Sequence, residues 1–371
     1  MKLVCDRSAL LDALTLAGGV VASRTPSPVL LCFKFTAKDG ILTISATDTE
    51  VGLIVSVASV SVSEEGEALI PADKLNQIVR ASDDTTLSIS VSNKTATIKG
   101  QDATFKVFGY DPKDFPGVHT FPTSRIEYET NAGTLARLIH RTLFATAIDN
   151  SRYAINGVLV ERKAKRLRMV ATDGRRLALA KGECSRATDQ DGQCIVPTKA
   201  LNVLAKLLSD PDELVSVARD ENLILFRVGE GADAAILSSR LVEGAFPPFE
   251  DVIPKEQDKR VVFDAGELTS AVRRTALLTN EESKGVRFAF DGKTLVLSSR
   301  APELGEAEIT VGIEKYDGEP IEIGFNPQFI TDVLKVIDNK EVIIELKAPN
   351  KPGVIKAGSD FTYVVMPVSL T

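Results

Sequence analysis

The chain has 371 residues, 44% of them hydrophobic and 26% charged, with a formal net charge of −7. That length exceeds one ordinary core and predicts two or three domains of about 100 to 150 residues each. The acidic balance excludes a surface that is basic all over, although a basic strip can hide in the average. No run approaches the roughly 18 apolar residues of a membrane span. Cys5, Cys32, Cys184 and Cys194 show neither metal-ligand spacing nor disulfide density, which fits a reducing, cytoplasmic setting and small buried thiols. Asp6, Arg7 and Asp12 interrupt the first apolar run, so it reads as mature structure rather than a secretory signal.

In chain order, an amphipathic helix starts near Ser8 ("SALLDALTLAGGV"). Two alternating runs follow, joined at Lys38-Asp39-Gly40 and ending in "ATD" at Asp48, then a valine-rich strand stretch from Val51 to Val62. A strand, a turn at Pro71 and a second helix come next ("ALIPADKLNQIVRA"), then strands up to "DFPG" near Asp114. The pattern restarts with "TLARLIHRTLFATA" from Thr134, a hairpin turn at Lys163 to Arg166, "ATDG" at Asp173, "CIVPTKALNVLAKLLS" around Pro197, a glycine-rich hairpin tip at Val228 to Ala235 and "AFPPF" near Ala245. It restarts again with "ELTSAVRRTALLT" from Glu267, a turn at Asp291-Gly292-Lys293, "IEIGFNPQFITDVLKVI" around Pro327 and "VVMPV" near Val364. Asp-Gly between alternating apolar runs is a hairpin signal, and proline suits the first turn of a helix. The period of about 120 to 130 residues marks whole domains rather than solenoid repeats. The expected fold is α+β, two helices per unit packed on mainly antiparallel sheet, with domains at 1–125, 126–252 and 253–371.

Catalytic templates fit poorly. Asp48 and Asp173 occupy matching places, but the third unit has Ser298-Ser299-Arg300 there, so both aspartates read as turn residues that accept from nearby backbone amides. His119 and His140 lie apart in the repeat scheme, and no metal cluster, nucleophile elbow or phosphate loop is present in the sequence. No cofactor is expected.

The helices carry a different signal. Leu135, Leu138, Ile139, Thr142 and Leu143 share one face of their helix, with Arg137, His140 and Arg141 on the other. Arg273 and Arg274 repeat that basic face, and Lys74, Arg80, Lys199, Lys206 and Lys335 sit on the second helices. If units close into a ring with helices inward, these charges become a basic lining in an acidic shell. Twelve helices about 10 Å apart need a circle about 38 Å across, which admits duplex nucleic acid. Such a lining attracts phosphates without reading bases.

The segments "SRYAINGVLVE" (Ser151 to Glu161), "VATDGRRLA" (Val170 to Ala178), "LVEGAFPPFEDVIP" (Leu241 to Pro254), "IEIGFNP" (Ile321 to Pro327) and "YVVMPVSL" (Tyr363 to Leu370) resemble, in order and spacing, the bacterial DNA polymerase III beta subunit family, the sliding clamps. The resemblance runs end to end. It implies three clamp domains per subunit in a head-to-tail homodimeric ring, helices lining the hole, loaded on duplex DNA by an ATP-driven clamp loader complex. It implies no catalytic role: the ring tethers the replicative polymerase, and other polymerases and repair proteins, through a short hydrophobic peptide held between the second and third domains.

Carried over by position, the resemblance implies a peptide pocket of Ile155, Thr172, Gly174, Arg175, Arg176, Leu177, Pro247, Val252, Asn326, Val364, Met366, Pro367, Val368 and Leu370. It places Phe105, Lys106 and Val107 across the subunit seam from Leu277, Leu278, Glu303, Glu306 and Glu308. DNA-facing positions are Arg24, Lys74, Arg137, Arg141 and Lys199. Arg175, Pro248, Asp251, Ser369 and Thr371 depart from better-known members and leave the peptide preference open. Two other readings stand beside this one: a clamp paralogue specialised for repair or inhibitor resistance, and an enzyme with an interdomain site built on Asp173 and Arg176.

Overall fold

The protein is described by a computed structural model over residues 1–147, 155–279 and 285–370; Ser151 to Ala154 and Thr371, named above, lie outside the described residues. Three successive repeats follow one order: a strand, a helix, five strands, a second helix and three strands. The helices are α1 (Arg7–Gly18), α2 (Ala72–Ala81), α3 (Ala132–Thr142), α4 (Thr198–Leu207), α5 (Ala265–Thr275) and α6 (Pro327–Lys335).

Local chemistry explains the boundaries. Asp6 caps α1 by accepting from Ala9 N, Asp264 caps α5 by accepting from Gly266 N and Glu267 N, and Asn326 caps α6 by accepting from Gln328 N, each satisfying amides that lack an intrahelical partner. Pro71 and Pro197 immediately precede α2 and α4, and Pro327 opens α6. Leu10, Ala13, Leu14 and Ala17 are the buried stripe of α1; Leu268, Ala271, Val272 and Thr275 are that of α5. The hairpin Cys32–Lys38 to Ile41–Thr47 turns on Asp39 and Gly40, with φ of 50° and 77°, the left-handed pair that matches strand twist.

Each repeat divides its strands into a set of four and a set of five, and the sets join across repeats. The first repeat's four strands pair with the second repeat's five through Val51–Val57 and Ala235–Arg240, in antiparallel register Leu53↔Leu237. The second repeat's four pair with the third repeat's five through Arg176–Glu183 and Phe361–Val365, in register Leu177↔Val364. Two nine-stranded sheets result. Among the described residues the first repeat's five strands and the third repeat's four remain separate, ending at Thr104–Phe108 and Gly305–Gly312.

Because sheets fuse neighbouring halves, the compact units cut across the central repeat. One comprises Met1–Ala136, Glu183–Asp191 and Val196–Leu241; the other Arg137–Gly182, Gly192–Ile195 and Val242–Thr371. The central repeat thus has no core that is independent of its neighbours.

Candidate peptide-binding site

The second unit holds a cavity of about 180 Å³. Its floor is the joint between repeats, where Leu177 and Val364 lie opposite each other on paired strands. Ile155, Thr172, Gly174, Arg175, Arg176, Pro247, Val252 and Met366 complete the wall together with Phe249, which the sequence reading left out although it lies within the quoted "AFPPFED". Leu177, Val364 and Phe249 also belong to a buried cluster with Leu159, Val170, Leu179 and Ile195, so the pocket is a dent in the core's edge.

The turn at its mouth is built by Asp173. Its Oδ1 accepts from Arg175 N (2.9 Å) and Arg176 N (3.0 Å), while the Thr172 hydroxyl donates to Arg176 O (2.7 Å). Gly174 has φ +85°, which a side chain would strain. Asp48 repeats the device, accepting from Glu50 N and Val51 N, so both aspartates serve as turn residues as the sequence predicts.

Arg176 is fully committed. It donates to Asp173 Oδ2 (3.0 Å), Asp332 Oδ2 (2.9 Å) and Phe144 O (2.9 Å), and its guanidinium lies 4.5 Å from the Phe329 ring centroid. Burial alone would lower its pKa; Asp332, Tyr363 and Asp173 hold it raised. Burial pushes the Asp332 carboxyl up, but hydrogen bonds from Arg176, Lys335 and Gln328 outweigh it and hold the group below its ordinary value. With its charge neutralised in this way, Arg176 offers the cavity a flat polar wall rather than a free cation. Arg168 braces Phe249: held by Glu161 and Glu250, it lies 5.6 Å from the Phe249 ring centroid.

Asn326, Pro367, Val368 and Leu370 are not on the cavity wall. Asn326 is spent on the α6 cap. The tail leaves the pocket at Met366, whose N donates to Arg175 O, and crosses to the strand Ile321–Phe325, where Val368 N donates to Gly324 O. A Cβ on Gly324 would lie 2.6 Å from Val368 O and 2.8 Å from Leu370 Cδ2; the glycine of "IEIGFNP" is therefore what lets the tail dock.

The basic residues separate into exposed and committed groups. Arg24, in the loop after α1, is exposed, as is Lys74 on α2. Arg137 is exposed and lies 3.9 Å from Asp360. Arg141 differs from expectation: it is only 5% exposed, donates to Asp360 Oδ2 at 2.9 Å and lies over the Phe361 ring, so its guanidinium is withdrawn from any phosphate. Lys199 donates to Asp48 Oδ2 (2.6 Å) and Val20 O (2.9 Å).

At the two unjoined sheet edges, Phe105, Leu277, Lys106, Glu303, Glu306 and Glu308 are exposed and Leu278 is half-buried; Val107 instead turns inward, since strand alternation puts it against its own domain's core. Phe108 (77% exposed) and Leu304 (73%) add apolar surface that the sequence reading did not single out. Among the described residues no acidic, histidine or cysteine cluster could hold a metal ion, and no helix is long and apolar enough to cross a membrane.

Three family domains match in series: the DNA polymerase III beta subunit N-terminal domain at residues 1–119, its central domain at 129–248 and its C-terminal domain at 250–369. The chain is similar to the beta sliding clamp of Pseudomonas putida (36% identity over 373 residues) and that of Escherichia coli K12 (31% over 376), covering 100% of both chains in each case. Among solved structures it is similar to a sliding clamp (DNA polymerase III subunit beta) from Pseudomonas aeruginosa bound to griselimycin, at 35% identity and a TM-score of 0.92 over 100% of both chains. Three whole-chain repeats, their shared strand sets and these full-length matches place the chain in one group: it belongs to the DNA polymerase III beta subunit family, the bacterial beta sliding clamps.

Proposed function

We infer that this protein is a DNA sliding clamp: two copies close head to tail into a ring around duplex DNA, and the apolar pocket holds a short hydrophobic peptide of the replicative polymerase, of other polymerases and repair proteins, or of the clamp loader complex. The three repeats act as clamp domains bounded near residues 125 and 252. The ring works by topology and has no catalytic step of its own.

The observation that carries this reading is the open third joint. Twice in the chain a five-strand set pairs with a four-strand set of the preceding repeat. Among the described residues the remaining five-strand edge (Thr104–Phe108) and four-strand edge (Gly305–Gly312) have no such partner, and exposed Phe105, Phe108, Leu277 and Leu304 flank them. An unprotected apolar edge is an association surface. Joining one copy's first edge to another's second is heterologous and closes when the rotation allows; six similar domains make that closure. Lys106 on one edge faces Glu303, Glu306 and Glu308 on the other in this arrangement, giving charge complementarity.

The pocket's chemistry supports peptide capture. Burying one leucine-sized anchor is worth about 1.5–3 kcal/mol, so two anchors seated on Leu177, Val364, Phe249 and Met366 give reversible binding, and methionine adapts to several ligands.

The test is topological. The protein is loaded by its clamp loader and ATP on nicked circular DNA, half of the sample is linearised, and protein retained at high salt is measured. Retention on circles with loss from linear ends is expected; equal loss from both, with a known clamp loading in parallel, would overturn the ring.

A further inference from the structure

Lys199 carries a basic charge on a helix face and its side chain is half-exposed, yet its ammonium is engaged by two acceptors of the first repeat. It donates to Asp48 Oδ2 at 2.6 Å and to Val20 O at 2.9 Å. Asp48 in turn uses Oδ1 to hold the amides of Glu50 and Val51. Val20 is fully buried and sits just past the end of α1, with its N–H on Ala17 O. A cation at this end complements the α1 dipole. The α1 terminus also rests on α4: a Cβ on Gly19 would lie 3.5 Å from Val203 Cγ2 and 3.8 Å from Lys206 Nζ. Four residues beyond Val20 is Arg24, exposed in the loop before the turn of Pro28–Leu31.

We propose that Lys199 and Asp48 are positioning residues for the Arg24 loop: the second repeat's helix clamps the first repeat's loop root, fixing where Arg24 meets the DNA backbone. The inference rests on the DNA-encircling reading. It assigns a carboxylate, Asp48, a favourable role in binding a polyanion. Simple charge counting assigns it the opposite one, because removing a negative charge near DNA tightens binding.

The test exploits that opposition of sign. Equilibrium binding of the full dimer to a fluorescein-labelled primer-template is measured between 50 and 200 mM NaCl for Arg24→Ala, Lys199→Met, Asp48→Asn, Lys199→Arg and the double variants with Arg24→Ala. Asp48→Asn is isosteric and keeps the Oδ1 acceptor that holds the turn, while losing the Oδ2 that receives Lys199, so folding is preserved. Expected is a several-fold weakening by Asp48→Asn and by Lys199→Met, neither exceeding that of Arg24→Ala. Both should be silent in the Arg24→Ala background, with Lys199→Arg close to wild type. Faster amide exchange at residues 20–27 in Asp48→Asn should accompany the loss. Tighter binding by Asp48→Asn, or a Lys199→Met effect that multiplies with that of Arg24→Ala and lowers the salt slope by about 0.9 as a lost phosphate contact would, overturns the positioning role while the ring stands. No effect of Arg24→Ala overturns the DNA-facing reading of the loop itself.

Discussion

Arg141 Nη1 lies 2.9 Å from Asp360 Oδ2, joining a helix of the central repeat to a hairpin tip of the third, with Arg137 approaching the same carboxylate at 3.9 Å. The guanidinium is nearly closed off from solvent and lies over Phe361, so this basic residue works as a clasp between repeats. Removing one partner of a buried pair costs about 3–5 kcal/mol, because the other charge is left uncompensated; Asp360 remains partly exposed, which reduces the loss. Arg141→Met should lower the thermal midpoint by several degrees in calorimetry while leaving the salt slope of DNA binding unchanged. A reduced salt slope with an unchanged midpoint would return Arg141 to the phosphate contacts.

Met366 is 40% exposed and lines the cavity, whereas Leu177 is buried in its floor. Met366→Asp should therefore abolish capture at little structural cost: more than tenfold weaker binding of a labelled peptide with two adjacent apolar residues, by fluorescence anisotropy, with an unchanged melt. Leu177→Ala should do both, losing peptide binding and about 2–5 kcal/mol of stability from the cavity it leaves.

Gly324 determines where the tail lies. A methyl group there meets Val368 O at 2.6 Å, closer than real contacts allow, so Gly324→Ala should release Val368 and Leu370. Amide exchange at Val368 should rise markedly while the strand Ile321–Phe325 stays protected on its Val286–Phe290 side. Unchanged protection at Val368 would mean the tail is not held by this contact.

The Asp332–Arg176 pair gives a defined pH response. The folded carboxyl titrates below its ordinary value, so its stabilisation is complete above the unfolded aspartate range and disappears as pH falls through the lowered folded value. Urea midpoints should decline on acidification in the wild type and decline less in Asp332→Asn. Parallel decline in both would show that other carboxylates carry the acid sensitivity.

Leu277 and Phe108 are each 77% exposed beside the unjoined edges. Leu277→Asp should shift the protein from dimer to monomer at micromolar concentration in sedimentation velocity, with each monomer still folded by its own two nine-stranded sheets. Persistence of the dimer would place the seam elsewhere.

Much of this was written locally. Hairpins at Asp39-Gly40 and Asp291-Gly292 and helix starts at Asp6, Asp264 and Asn326 depend on neighbours a few residues apart, so the sequence determines them directly, and the recurrence of such local signals gives the period of the repeats. The roles of Asp48 and Asp173 as turn acceptors were equally legible, since an aspartate two or three residues before the amides it binds needs no distant partner. Phe249 was within reach, since it lies inside the recognised segment Leu241 to Pro254. Only the tertiary structure could decide which charges are spent. Lys199 and Arg141 are indistinguishable from solvated helix residues by periodicity, because their partners Asp48 and Asp360 are 151 and 219 residues away in the chain. The same holds for the joints between repeats: alternation names a strand and its buried face, but its hydrogen-bonding edge carries no side-chain signal, so pairing across repeats is settled by packing alone.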